Sequence, residues 1–286
     1  MKSLIKNILS GVVVGSMILM TSACTIRISE DTFIASDQQA VAFTNEFTEQ
    51  LQQAMPNHSI TAVNLNTSDQ VRLNGFYIDN PHSETTLIFF QGNGMKVEPH
   101  SLAALTTLST LNTDIFVMDR RGLGASEGQP SIRNIQVDAK QQLDYLYQQY
   151  QPQKVILHGY SLGSFIAADL AKDNKVDALV LHGSATNADD WVDEKTPWYL
   201  LFTSIEMPED FRRVDNEQVV AQYYKGPLLV IGAENDDEVP ASLSEKLYAA
   251  SQSEVKELIM VPNVGHQGML DNANAMSRYQ AFVQAL

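Results

Sequence analysis

Cysteine is almost missing from this chain: Cys24 is the only one in 286 residues. A single thiol cannot close an internal disulfide, so the fold has to rest on its core. Positive charge is also scarce, with 19 Lys and Arg against 34 Asp and Glu and a formal net charge of -15. A surface of that sign repels phosphate backbones and anionic headgroups, which excludes nucleic acid, and a membrane held by charge alone, as partners. There is no His-Glu-x-x-His, no cysteine pair and no Walker A loop, so neither a metal nor a nucleotide cofactor is implied. His58, His82, His100, His158 and His182 show no ligand spacing. Internal repeats, low-complexity tracts and blocks of like charge are absent as well.

What is present is 44% hydrophobic and 19% charged, which suits one α/β domain, or two small ones, with a full core. The N-terminus, MKSLIKNILSGVVVGSMILMTSAC, carries two lysines, then an apolar run centred on Val12 to Met20, then small residues up to Cys24. That pattern is a secretory signal. The TSA|C junction resembles a bacterial lipoprotein site, with Thr21 where leucine is usual. We therefore expect a signal peptide over 1–23, lipidation of Cys24, a linker over 24–37, and a protein anchored through its lipid, on the periplasmic face of the outer membrane. Ordinary cleavage after Ala23 and an uncleaved anchor are the alternatives, and both also export the chain.

From residue 38 onward the pattern is that of one domain. Phe43, Phe47 and Leu51 fall four apart and predict a helix within Gln38–Met55. Eight segments read as strands, near 59–65, 70–78, 85–90, 114–118, 154–158, 177–182, 227–232 and 255–261. From the third onward they alternate with amphipathic helices, such as Ile132–Tyr150 with Leu143, Leu146, Tyr147 and Tyr150 on one face. TLIFF, IFVMD, KVILH and PLLVI are nearly continuous apolar runs, as expected of parallel strands covered by helices on both faces. The architecture expected is a doubly wound, mostly parallel eight-stranded sheet. Residues 183–226 are too long for a simple crossover and hold Trp191, Trp198, Tyr199, Leu200, Leu201, Phe202 and Phe211, which predicts a small helical cap. Its aromatics either line an apolar pocket or pack the cap onto the sheet.

Two segments fit the nucleophile pattern G-x-S-x-G: GASEG at 124–128 and GYSLG at 159–163. Context separates them. Ser161 directly follows the strand KVILH and precedes an apolar helix, the strand-turn-helix elbow that such a serine needs. Ser126 lies well past the end of its strand, Pro130 follows it, and Glu127 would set a carboxylate beside a developing oxyanion. Further along come an acid at a strand end, in AENDDEVP, and a histidine, His266 in NVGHQG, in the order serine, acid, base. Glu234, Asp236, Asp237 and Glu238 all compete for the acid role, with Asp189 and Asp190 as weaker candidates. The loop FFQGNGM after the third strand offers backbone N–H groups for an oxyanion.

Taken together, FFQGNG, DRRGLGASEGQPS, GYSLG, DDEVP and VGHQG resemble the α/β-hydrolase superfamily from about residue 70 to the end. Within it they are similar to the serine hydrolases that include the Bem46-like and ABHD13-like proteins. The resemblance implies an α/β-hydrolase fold over 38–286. It also implies Ser161 as nucleophile, Asp236 as acid, His266 as base, and the amides of Asn93 and Leu162 as oxyanion donors. GASEG matches a loop landmark of the family. Gln91 departs from it, standing where relatives usually carry histidine. The activity expected is hydrolysis of small-molecule carboxylic esters or thioesters through an acyl-enzyme, with no cofactor. A serine peptidase or amidase, or a non-catalytic binding lipoprotein, are the alternatives.

Overall fold

A computed structural model describes residues 25–196 and 204–286. The expected signal peptide, the Cys24 lipidation site and the cap residues Trp198 to Phe202 lie outside the described residues. Eight strands form the main sheet: β2 (Ser59–Asn66), β3 (Arg72–Asp79), β4 (Thr85–Phe90), β5 (Asp114–Met118), β6 (Lys154–Tyr160), β7 (Ala178–His182), β9 (Leu228–Ala233) and β10 (Lys256–Val261). Their order is β10-β9-β7-β6-β4-β5-β3-β2, and only β3 runs against its neighbours. This is the eight-stranded, mostly parallel α/β-hydrolase sheet.

Alternation along each strand explains the continuous apolar runs. In β4, Ile88 and Phe90 join one core together with Leu143 and Leu146 of α4 (Ile132–Gln149) and Ile166 and Leu170 of α5 (Leu162–Asp173). Leu87 and Phe89 face the opposite core. That second core is completed by Phe47 and Leu51 of α2 (Asn45–Ala54), Leu105 and Leu108 of α3 (Leu102–Ser109), and Tyr279 and Phe282 of α10 (Ala273–Gln284). Each fully buried side chain of this kind contributes about 1.5–3 kcal/mol. The remaining helix of this layer set, α9 (Ala241–Ala250), buries Leu243 and Leu247.

Some boundaries differ from expectation, each for a local reason. The helix expected over Gln38–Met55 begins only at Asn45, because the Thr44 hydroxyl caps the Phe47 N–H at 3.1 Å. Upstream of it the chain is spent on the loop after β5: the N–H groups of Asp37 and Val41 donate to the carbonyls of Gly122 and Gly124. Phe43 still packs, with its ring 4.7 Å from that of Phe76. On α4 the buried face runs through Ile132, Ile135, Ala139, Leu143 and Leu146, while Tyr147 turns outward.

The stretch expected as a linker, 24–37, is folded onto the domain from residue 25. Strand β1 (Thr25–Arg27) pairs in parallel with β8 (Ser204–Glu206), and a short helix α1 (Glu30–Phe33) follows. The region 183–226 also holds α6 (Ala188–Lys195), α7 (Glu209–Arg213), α8 (Asn216–Gln218) and a π-helical turn, Val219–Tyr223. Among the described residues no helix is long and apolar enough to cross a membrane, and no cluster of His, Cys, Asp or Glu could hold a metal ion.

Candidate active site

Ser161 stands between β6 and α5 with φ 52° and ψ -120°. A non-glycine residue held there costs on the order of 1–3 kcal/mol and persists only where its surroundings enforce it. They do so by close approach. A β-carbon on Gly159 would lie 2.3 Å from the Gly163 carbonyl oxygen, and one on Gly163 would lie 2.0 Å from that of Phe90. Two glycines thus let the strand, the helix and the neighbouring strand β4 meet at one point, which forces the turn between them. Hydrogen bonds then fix it: the Ser161 N–H donates to the His182 carbonyl at 2.8 Å, and the Ser164 N–H and hydroxyl donate to the Ser161 carbonyl at 2.9 and 2.6 Å.

The loop after β4 lies directly alongside, since a β-carbon on Gly92 would sit 3.3 Å from that of Ser161. The Asn93 side chain turns away to the folded N-terminal segment. Its Oδ1 accepts from the Ala35 N–H at 2.8 Å and its Nδ2 donates to the Phe33 carbonyl at 2.7 Å. The backbone N–H of Asn93 is in no hydrogen bond among the described residues. Leu162 is the first residue of α5, so its N–H has no partner within the helix and points along the positive end of the helix dipole. Two free amides beside Ser161 can receive an oxyanion. Gln91 is buried and lines a small separate cavity with Arg120 and Asp138, one that Ser161 does not border.

Among the crowded acids, Asp236 is buried while Glu234, Asp237 and Glu238 are exposed. Asp236 Oδ2 accepts from His266 Nδ1 at 2.8 Å, and Oδ1 accepts from the amides of Glu238 and Val239 at 2.9 and 2.8 Å. That second pair fixes the carboxylate, and the carboxylate fixes the imidazole. Tyr160, the residue before Ser161, stacks on the His266 ring at 5.1 Å and donates its hydroxyl to the His266 carbonyl at 3.0 Å. His266 and Ser161 border the same cavity, although no hydrogen bond of 3.5 Å or less joins them. Such contacts are commonly long without substrate and tighten when it binds. Glu238 approaches the other imidazole nitrogen, with 3.8 Å between its carboxylate and His266 Nε2. Asp189 and Asp190 sit on α6 and pair with Arg212 and Lys246, away from the imidazole.

A family model described as the alpha/beta hydrolase fold matches residues 85–203. Protein Rv2307c of Mycobacterium tuberculosis, itself uncharacterized, is 32% identical over 213 residues, covering 70% of each chain. The chain belongs to the α/β-hydrolase family. Protein bem46 of Schizosaccharomyces pombe is 24% identical over 246 residues, covering 82% of this chain and 81% of that one, which places this hydrolase in the Bem46-like group. In fold it is similar to the esterase Pf2001 of Pyrococcus furiosus, with a TM-score of 0.68 at 18% identity over 88% of this chain and 99% of the other.

In this α/β-hydrolase the other G-x-S-x-G segment, GASEG at 124–128, is a structural device. Ser126 is 1% exposed; its hydroxyl donates to the Asp119 carbonyl at 2.6 Å and accepts from the Asn74 N–H at 2.9 Å. The Asp119 carboxylate in turn accepts from the N–H groups of Val97 and Ala125, and burial raises its pKa to about 6. Next to it, Arg121 bridges Asp138 and Asp69, each at 2.6 Å.

Sequence reasoning named some of the hydrolase's site residues without their roles. Trp191 of α6 donates its indole N–H to the Glu238 carbonyl at 2.8 Å, and Lys195 donates to the Asp237 carbonyl, so one helix holds the acid loop from outside. Behind the site, His158 hydrogen-bonds Tyr279 at 3.0 Å and His182 at 3.2 Å. Burial pushes the His158 imidazole down to about 3 and holds His182 well below its ordinary value, so both are neutral. Trp191 carried a signal as one of the cap aromatics, and His158 and Tyr160 by their places beside and inside the elbow motif.

Proposed function

We propose that this hydrolase is a serine enzyme that cleaves carboxylic esters or thioesters through a covalent acyl-enzyme. The observation that carries the reading is the buried Asp236–His266 hydrogen bond, opening on the same cavity as the strained Ser161. His266 Nε2 takes the hydroxyl proton as Ser161 Oγ attacks the carbonyl carbon, and the N–H groups of Asn93 and Leu162 receive the oxyanion. Collapse breaks the bond to the leaving alcohol or thiol, which takes the proton from His266. Water, deprotonated by the same imidazole, then attacks the acyl carbon and releases the acid and Ser161. Asp236 keeps the Nδ1–H tautomer and stabilises the imidazolium.

The fold likeness to an esterase and the apolar cavity beside Ser161, walled by Phe33, Phe165, Trp191 and Phe211, support the ester reading. The N-terminal sequence supports export and anchoring through a lipidated Cys24, on the periplasmic face of the outer membrane. The test is turnover of matched p-nitrophenyl ester and p-nitroanilide substrates by the purified protein. Ester hydrolysis that is at least about a hundredfold faster and is lost in Ser161→Ala is expected. A faster anilide would make it an amidase, and no turnover of either would favour a binding protein.

A further inference from the structure

Two cavities flank Ser161, and they differ in kind. One, of about 210 Å3, is walled by Phe33, Phe165, Trp191, Phe211 and Val214. The other, of about 540 Å3, is mixed: His100, Gln267 and Asp271 border it together with Phe89, Met95 and Leu270. Asn93, Ser161 and Glu238 border both, but His266 borders only the larger one. This settles which half of an ester lies where, given the serine mechanism proposed above. The leaving oxygen has to collect its proton from His266 Nε2, so the leaving group occupies the larger cavity, the more polar of the two. The acyl chain then points into the smaller, apolar one, beside Leu162.

Charge narrows the leaving group further. Glu238 and Asp271 border the larger cavity, and no Lys or Arg does so among the described residues. The Glu238 carboxylate is 3.8 Å from His266 Nε2, so it lies beside the point from which the leaving group departs. A phosphate there would meet like charge, moderated by the solvent exposure of both carboxylates, with no Lys or Arg among the described residues lining the cavity to offset it. Hydroxyls, in contrast, find acceptors and donors in Glu238, Asp271, His100 and Gln267. The apolar cavity sets the acyl length. With about 210 Å3 against about 540 Å3 it is the smaller of the two and favours an acyl chain of limited length. Phe33, brought in by the N-terminal segment, closes its wall with edge contacts to Phe211 at 5.2 Å and Trp191 at 6.0 Å.

We propose that the substrate is an ester of a medium-chain fatty acid with an uncharged, hydroxyl-bearing alcohol, and that Glu238 excludes alcohols carrying phosphate. The assignment rests on Ser161 being the nucleophile. The experiment compares kcat/KM for 1-octanoylglycerol and 1-octanoylglycerol 3-phosphate, in the wild-type protein and in Glu238→Gln, with Glu254→Gln, which borders neither cavity, as control. The ratio cancels any change that Glu238→Gln makes to His266 itself. A preference of at least about tenfold for the uncharged ester is expected, reduced at least about threefold by Glu238→Gln and unchanged by the control. Equal rates, or a ratio that Glu238→Gln leaves alone, would overturn the charge assignment. In a p-nitrophenyl ester series, Phe33→Ala should move the optimum to chains longer by about two carbons, and an unmoved optimum would overturn the acyl assignment. Fluorophosphonate labelling of the same preparations separates the two levels: label on Ser161 without discrimination refutes this inference alone, and no label refutes the serine mechanism and this inference with it.

Discussion

Replacing Asp236 by asparagine changes one atom type and leaves the volume alone, yet the hydrogen bonds around it dictate a large loss. Oδ1 receives two backbone amides, at 2.9 and 2.8 Å, and Oδ2 receives His266 Nδ1 at 2.8 Å. Asparagine offers one oxygen and one N–H2 group. The two amides can be satisfied only by the oxygen, so the amide nitrogen must face the imidazole. A donor at that place requires Nδ1 to be bare, and the ring proton moves to Nε2. In the proposed mechanism that is the nitrogen that accepts the Ser161 proton. In triad enzymes the wrong tautomer costs about 10,000-fold in kcat, or about 5.5 kcal/mol of barrier. The assay is steady-state hydrolysis of an activated ester, with thermal unfolding to show that the variant is folded. Asp237→Asn, at an exposed neighbour, should keep near wild-type activity. Retention of more than about a tenth of kcat in Asp236→Asn, or a larger loss in Asp237→Asn, would refute the reasoning.

Three other outcomes follow from the same geometry. Ser126→Ala should keep hydrolytic activity while losing about 1–3 kcal/mol of stability in urea unfolding, because the Asn74 N–H and Asp119 carbonyl lose their buried partner. Asp119 has a folded pKa of about 6 against a reference of 3.8, so between those values the native state binds the proton more tightly than the unfolded chain. Wild type should therefore gain stability relative to Asp119→Asn as the pH falls from 7 to 4, by on the order of 3 kcal/mol, and a gap that moves the other way would contradict the assignment. An alkynyl fatty acid supplied to a bacterial host should label the protein at Cys24 and leave Cys24→Ser unlabelled; label on both, or on neither, would argue against the anchor.

The sheet was legible because its strands carry a physical signature that survives in one dimension. β4, β6 and β9 bury both faces, which leaves apolar runs with no other explanation, and their limits were read to within about two residues. The elbow was legible for a related reason. A serine set between a strand and a helix needs glycine on both sides, and Gly159 and Gly163 occupy positions where a β-carbon collides with backbone. The choice among Glu234, Asp236, Asp237 and Glu238 could not be made from local residues, because it depends on which carboxylate the two following amides draw inward. The role of residues 25–37 was invisible as well. Their strand is three residues long, their helix four, and Phe33 acquires its meaning from Trp191 and Phe211, far along the chain. The buried link between His158, His182 and Tyr279 likewise joins positions that no periodicity connects.

The most direct test of the central claim is to treat the purified protein with a fluorophosphonate and locate the adduct by trypsin digestion and mass spectrometry. Ser161 falls in the peptide Val155–Lys172 and Ser126 in Gly122–Arg133, so the two sites separate cleanly. The account predicts label on the first peptide, absent in Ser161→Ala and strongly slowed in Asp236→Asn. Label on the second peptide, or on neither, would contradict it.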